Sequence, residues 1–317
     1  MKRPWRWWIW ALAATGGAAL ALAIGPAGFG WPSRDTALWL ARRDRVWAGF
    51  VVGAGLSTAG ALMQALLRNP LADPYVLGVS GGAALGAAGA IVLGLTAAWA
   101  LPAAAFLGGA LTLLLVYALA APRGHAPSLY TLLLSGVIVS SIFGALLMML
   151  ISLAPSAGLR GITWWMLGSL QVPSAALLHA ATLLVGSAVL AAWTLAPEWN
   201  ALTLGADVAH HVGVRARATV AFGLALATLA ASASVALAGL IGFVGLVVPH
   251  AIRLLVGADH RRLLPASALG GGLLLTLCDA LARSVNAPAE IPVGVVTALL
   301  GGPFFLVLLR RRRGWTP

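Results

Sequence analysis

The stretch LLRNPLADPYVLGVSGGAALGAAGA, residues 66–90, interrupts a chain that is otherwise almost unbroken hydrocarbon. Two prolines, an Asn and an Asp stand close together, and a ladder of glycines and alanines follows. A polar break of this kind needs long apolar runs on both sides to be a turn between membrane helices, and the rest of the chain supplies them.

Of 317 residues, 61% are hydrophobic and 9% charged, with a mean hydropathy of +0.95. Soluble domains carry about 25% charged residues, so this chain has too little polar surface to cover a globule in water. The bilayer is its solvent. The net charge of +12 does not indicate nucleic acid, because the basic residues fall between apolar runs rather than on one face. Anionic lipid headgroups account for them. Cys278 is the only cysteine, so no internal disulfide forms.

A span needs roughly 20 apolar residues to cross a ~30 Å core. Ten are read, at about 7–25, 46–67, 76–95, 99–120, 130–153, 175–196, 216–239, 241–256, 263–284 and 291–309. The eighth is interrupted by Pro249 and His250. The fold class is therefore all-α integral membrane, one transmembrane domain over residues 1–317. The first apolar run opens on a cluster of tryptophans suited to a membrane interface, and is read as a retained span rather than a cleaved signal. With both termini cytoplasmic, most arginines face inward. The exceptions are Arg34, Arg42, Arg43, Arg45, Arg160 and Arg283, three of them together in LARRDRVWAG, residues 40–49.

Ten spans divide into five and five, and an odd number per half forces the halves into opposite orientations. Arg45 opens a small-residue helix (Gly53, Gly55, Ser57, Gly60) that runs into Asn69-Pro70. Arg217 opens another (Ser232, Ser234, Gly239, Gly242, Gly245) that runs into Pro249-His250. Such residues let helices pack closely in lipid.

The missing chemistry is equally informative. No lysine follows Lys2, so no GxxxxGK[ST] phosphate loop exists and the chain does not bind ATP in that manner. HExxH, CxxC and GxSxG are also absent. His210 and His211 are adjacent in a polar loop without a third ligand nearby, which does not make a metal site. Nearly all carboxylates lie in loops or at span ends. Asp279 comes closest to the bilayer interior, within one turn of Arg283, and reads as a structural ion pair. The chain looks like a conduit whose energy source is a partner.

The segment RVWAGFVVGAGLSTAGALMQALLRNPLADPYVLGVSGGAALGA, residues 45–87, resembles the FecCD-type permeases of bacterial type II ABC importers for iron-siderophores, haem and vitamin B12. Four further segments resemble that family in the same order: LLLSGVIVSSIFGALL (132–147), LRGITWWMLGSL (159–170), VALAGLIGFVGLVVPHAIRLLVGADHRRLLPASAL (235–269) and APAEIPVGVVTALLGGPFFLVLL (287–309). The resemblance implies a BtuC-like homodimer of ten-span subunits. It also implies two cytoplasmic ATP-binding subunits that use the ATP, and a soluble binding protein that delivers a metal chelate from outside. Neither a cofactor nor nucleic acid is implied for this chain.

In that family NPLADP is the turn between the second and third helices, close to the cytoplasmic mouth. Pro70 and Pro74 end one helix and start the next, and Asn69 satisfies exposed backbone groups. By resemblance, Asn69 and Leu71 form one cytoplasmic gate and Ser128, Leu129 and Tyr130 another, the bulky Tyr130 departing from the family's small hydroxyl residues. The loop at about 197–217 matches the ATPase-coupling helices, with Gly205 and Gly213 bracketing a short helix and Ala206, Asp207 and His210 on it. A short outer helix at about 159–170 carries Trp164, Trp165 and Met166, which with Met148 and Met149 line the path. Arg42, Arg45 and Arg283 match outer-face arginines that meet acidic residues of the binding protein. Asp44 is a departure, placed to pair with Arg43 or Arg45. The rival reading is an ion-coupled secondary transporter of a small organic solute.

Overall fold

The computed structural model describes residues 7–25, 28–30, 37–120 and 128–312. Lys2, Arg3, Arg6, Arg34, Arg123 and Arg313, which entered the charge asymmetry, lie outside them. In chain order the helices are α1 (Trp7–Ala23), α2 (Ala37–Leu66), α3 (Val79–Val92), α4 (Ala100–Ala120), α5 (Leu129–Leu153), α6 (Ser156–Leu167) and α7 (Ala175–Thr194). They continue as α8 (Ala196–Thr203), α9 (Ala206–His211), α10 (Ala216–Ala238), α11 (Val244–Val256), α12 (His260–Ala282) and α13 (Val293–Arg312). A two-residue hairpin, β1 (Ile24–Gly25) against β2 (Gly28–Phe29), follows α1. Among the described residues six helices are long and apolar enough to cross a membrane, and the other four of the ten segments read from the sequence are shorter apolar helices, in α1, α3, α11 and α13.

The core is built around α2. Every residue from Val51 to Leu66 is buried, surrounded by α7, α10, α11 and α12. Helices approach this closely only where side chains are missing. A Cβ on Gly53 would run into the Gly271 carbonyl of α12, and one on Gly60 into the Gly245 carbonyl of α11. Two buried hydroxyls are satisfied, one across the seam and one locally: Ser57 Oγ donates to Ser267 O (2.7 Å) and Ser234 Oγ to Ala230 O (2.7 Å). The outward faces of α4 and α5 expose Leu111, Leu114, Leu119, Val137, Ile138 and Ile142, as a hydrocarbon solvent requires.

α1 is part of this packing. Gly17 sits against Leu273 of α12, and the Arg283 guanidinium donates to the Ala21 carbonyl.

Two of the shorter apolar helices are half-length. α3 has 14 residues and α11 has 13, about 20 Å at 1.5 Å per residue, against a ~30 Å core. Each follows a left-handed residue, Gly78 (φ 84°) before α3 and Phe243 (φ 68°) before α11. The pairs α2–α3 and α10–α11 therefore share one plan: long helix, break, half-length helix. The second break falls at 239–243, not at Pro249-His250 as the sequence pattern indicated. Pro249 lies inside α11. The carbonyl it deprives of an N–H is that of Gly245, and this carbonyl rests against Gly60, where no side chain obstructs it.

Candidate functional site

The functional calls fall on two ends of the helix bundle, one holding Asn69 and α8–α9, the other Arg45 and α6. At the first end, α2 stops at Leu66 and the chain makes two side-chain-capped turns. Asn69 Oδ1 accepts from Leu71 N (3.0 Å), and Asp73 Oδ1 from Tyr75 N (2.8 Å). Asn69 thus closes its turn as expected. The second turn differs in depth from the expected mouth position. Gly245, packed against Pro74, also faces the Leu56 carbonyl, and Leu56 lies roughly 15 Å along α2 from Leu66. The segment re-enters the protein: Arg68 and Asn69 are exposed while Pro74 is buried. Irregular backbone at such depth is tolerated because it is covered by protein. The two breaks also meet, since Tyr75 OH donates to Ile241 O (3.2 Å) and Gln64 Nε2 to Leu246 O (3.2 Å).

Of the other residues expected at a gate, Ser128 caps α5, its Oγ accepting from Thr131 N (3.0 Å), and Tyr130 is exposed. The break touches α5 further along, where Gly136 packs on Val76 and Leu77.

The segment expected to meet an ATPase is helical over a longer stretch than the sequence indicated. Gly205 (φ 121°) and Gly213 (φ 84°) bracket α9, whose Asp207 and His210 are exposed. The sequence reading missed α8, in which Trp199 is fully buried and donates Nε1 to Ala192 O (2.7 Å). With Ala209, also fully buried, it anchors both short helices. The surface they leave is apolar: Leu204 is 71% exposed and Val212 64%, with Val208 between them. Asn200 Nδ2 donates to Asp259 Oδ1 (2.8 Å) in the α11–α12 turn. Burial opposes ionisation of Asp259, but the hydrogen bonds from Asn200 and Arg261 N–H and the charges of Arg261 and Arg262 outweigh it and hold its pKa below the usual carboxylate range.

At the other end, the arginines are not arranged as expected. Arg42 is buried and donates Nη1 to Leu22 O (3.1 Å) and Gly30 O (3.2 Å). Arg283 is 2% exposed. Both guanidiniums serve carbonyls and carboxylates inside the chain, so neither is presented to a partner. Arg45 chelates Asp279 (2.9 Å) and donates to both oxygens of Glu290 (2.9 Å), one of which also accepts from Gln171 Nε2 (3.3 Å). Asp279 thus has Arg45 as its main partner and Arg283 at 3.7 Å as its second, where the sequence indicated Arg283 alone. Asp44 pairs with Arg43 at 2.7 Å. Arg45, Glu290 and Gln171 line a cavity of about 700 Å³ with Trp164 and Trp165. Met148 and Met149 are exposed on α5, and Met166 is half-buried, outside this cavity's lining.

With this geometry in place, comparison with known proteins gives a consistent result. The FecCD transport family matches residues 18–311. The cobalamin import system permease protein BtuC of Halobacterium salinarum is 45% identical over 273 residues, covering 86% of this chain and 72% of that protein. The hemin transport system permease protein HmuU of Yersinia pestis is 42% identical over 283 residues, covering 87% and 84%. An inward-facing structure assigned to the metal-chelate type of ABC transporters superimposes with a TM-score of 0.87 at 32% identity, covering 96% of this chain and 97% of that one.

Proposed function

The chain belongs to the FecCD transport family, and on that premise we propose that it is the permease subunit through which an ABC importer moves a metal chelate, a ferric siderophore, haem or cobalamin. It is a multi-pass membrane protein. It works as a homodimer in the bacterial inner membrane with both termini cytoplasmic. Two ATP-binding subunits dock on α8–α9 and supply the ATP hydrolysis that this chain cannot. A soluble binding protein docks at the opposite end and releases its load above the cavity of Trp164 and Trp165. Of the arginines expected to receive it, Arg45 is the one that faces that cavity. Asn69 and Leu71, with Ser128, Leu129 and Tyr130, close the inner mouth, and Met148, Met149 and Met166 line the path between.

The observation that carries this reading is the pairing of family membership over residues 18–311 with the apolar surface of Leu204, Val208 and Val212. A polar connecting loop needs no exposed leucine and valines beside two buried anchors. An ion-coupled carrier instead needs a carboxylate free to change charge inside the bundle. Asp279 is tied to two arginines, which fits a structural role.

Co-expression with the cognate ATPase and binding protein tests the proposal. The ATPase should co-purify with the permease, and leave when Gly205 and Gly213 are replaced by bulky residues. Retention of the ATPase and of ATP-driven uptake in that double variant would overturn the placement of the docking site.

A further inference from the structure

One side chain joins the short helix α8 to the membrane core. Asn200 Oδ1 accepts from the His260 backbone N–H (2.9 Å) and stands 2.7 Å from His260 Nδ1, while Asn200 Nδ2 donates to Asp259 Oδ1 (2.8 Å). The same carboxylate oxygen accepts from Arg261 N (3.1 Å). Chemistry fixes the orientation: the His260 N–H needs an acceptor and the Asp259 carboxylate needs donors. The Asn200 amide offers both from one side chain. The clasp has a second jaw. Pro265 deprives the Arg261 carbonyl of its helical N–H, and that carbonyl accepts from the Trp193 indole at the end of α7 (3.1 Å). The first turn of α12 is thus held by α7 and α8.

What lies beyond the clasp gives it a direction. α12 runs along α2, backbone to backbone at Gly271 and Gly53. The other helix leaving the clasped turn, α11, seats Gly245 against Gly60 and against Pro74 in the re-entrant break. Displacing α8 therefore displaces the α11–α12 turn, and α11 carries the displacement to the break that holds the gate residues. We propose that Asn200 is a positioning residue that couples movement of the ATPase to the gate, through its hydrogen bonds to Asp259 and His260. This rests on the reading that the ATPase docks on α8–α9.

The test uses the permease with its ATPase in lipid nanodiscs, in a Cys278→Ala background, spin-labelled through Leu71→Cys. Two readouts are taken: the distance change between labels on trapping with ATP and vanadate, and the ATP hydrolysis rate. Asn200→Ala removes the clasp, and Asn200→Asp sets two carboxylates against each other. Both variants should keep the ATPase bound and hydrolysing within about twofold, while the fraction of complexes that switch falls at least about fivefold, the low end of measured coupling factors. Combining Asn200→Asp with Asp259→Asn restores one acceptor facing His260 and one donor between positions 200 and 259, and should restore switching.

Wild-type switching in either single variant overturns the proposal. So does failure of the exchanged pair to recover in a complex that retains its ATPase. Loss of the ATPase from Asn200→Ala would place Asn200 in the docking surface, which also contradicts it. If the ATPase does not bind the unaltered permease, the docking reading itself fails, and this inference falls with it.

Discussion

The Tyr75 hydroxyl donates to the Ile241 carbonyl across 3.2 Å, and through that bond the break after α2 meets the break before α11. Two half-length helices begin close to this point. Their exposed backbone ends are covered by protein and by side chains such as Tyr75 and Gln64, which is how irregular backbone persists inside a membrane protein.

Removing the hydroxyl should therefore be felt. Tyr75→Phe leaves the Ile241 carbonyl buried without that donor, a loss of about 1–3 kcal/mol. Thermal unfolding in detergent should show a lower midpoint. An unchanged midpoint would mean that the carbonyl finds another partner.

The Gly60–Gly245 contact predicts an effect of opposite chemistry. Gly60→Ala favours an isolated helix, yet here the added methyl meets the Gly245 carbonyl. Overpacking of this kind costs about 1–3 kcal/mol. Gly16, with open space around it, is the control: Gly16→Ala should be neutral or stabilising in the same melting assay.

Arg45 gives a prediction of charge balance. Arg45→Gln leaves the buried Asp279 with Arg283 alone, at 3.7 Å, and breaking a buried pair from one side costs about 3–5 kcal/mol. The double variant with Asp279→Asn removes the stranded charge and should recover most of the loss. Equal melting of Arg45→Gln and wild type would show that Arg283 alone neutralises Asp279.

For the α8–α9 surface, Leu204→Asp and Val208→Asp place charge where neither side chain is buried. The melting midpoint should hold while ATPase co-purification drops at least about tenfold, the factor for 1.4 kcal/mol. Undiminished co-purification would remove these residues from the docking surface.

Much of this architecture was legible in advance because its determinants are local. Apolar runs of sufficient length, prolines at turns and glycines at helix seams announce themselves within a few residues, and so did α9 between Gly205 and Gly213. The re-entry of residues 69–78 was not legible, because its depth depends on Gly245, far along the chain. The same distance hid the second break: Pro249 carries a strong local signal, yet the helix continues through it because Gly60 accommodates the freed carbonyl. The arginines were misread for the reverse reason. Their position at one end of the spans was right, but only the folded chain reveals that Arg42 meets the carbonyls of Leu22 and Gly30 and that Arg45 lies between Asp279 and Glu290. Asn200 carried no signal of its own, since its partners are in the α11–α12 turn.

The central claim is that this chain moves a metal chelate using ATP hydrolysed by a partner. Its most direct test is uptake into proteoliposomes of the permease with its cognate ATPase and binding protein, offered cobalamin, hemin or a ferric siderophore in turn. ATP-dependent accumulation of one of these chelates is predicted, with none from the permease alone under a proton or sodium gradient. Accumulation by the permease alone under an ion gradient, unaffected by ATP or by the ATPase, would contradict the account.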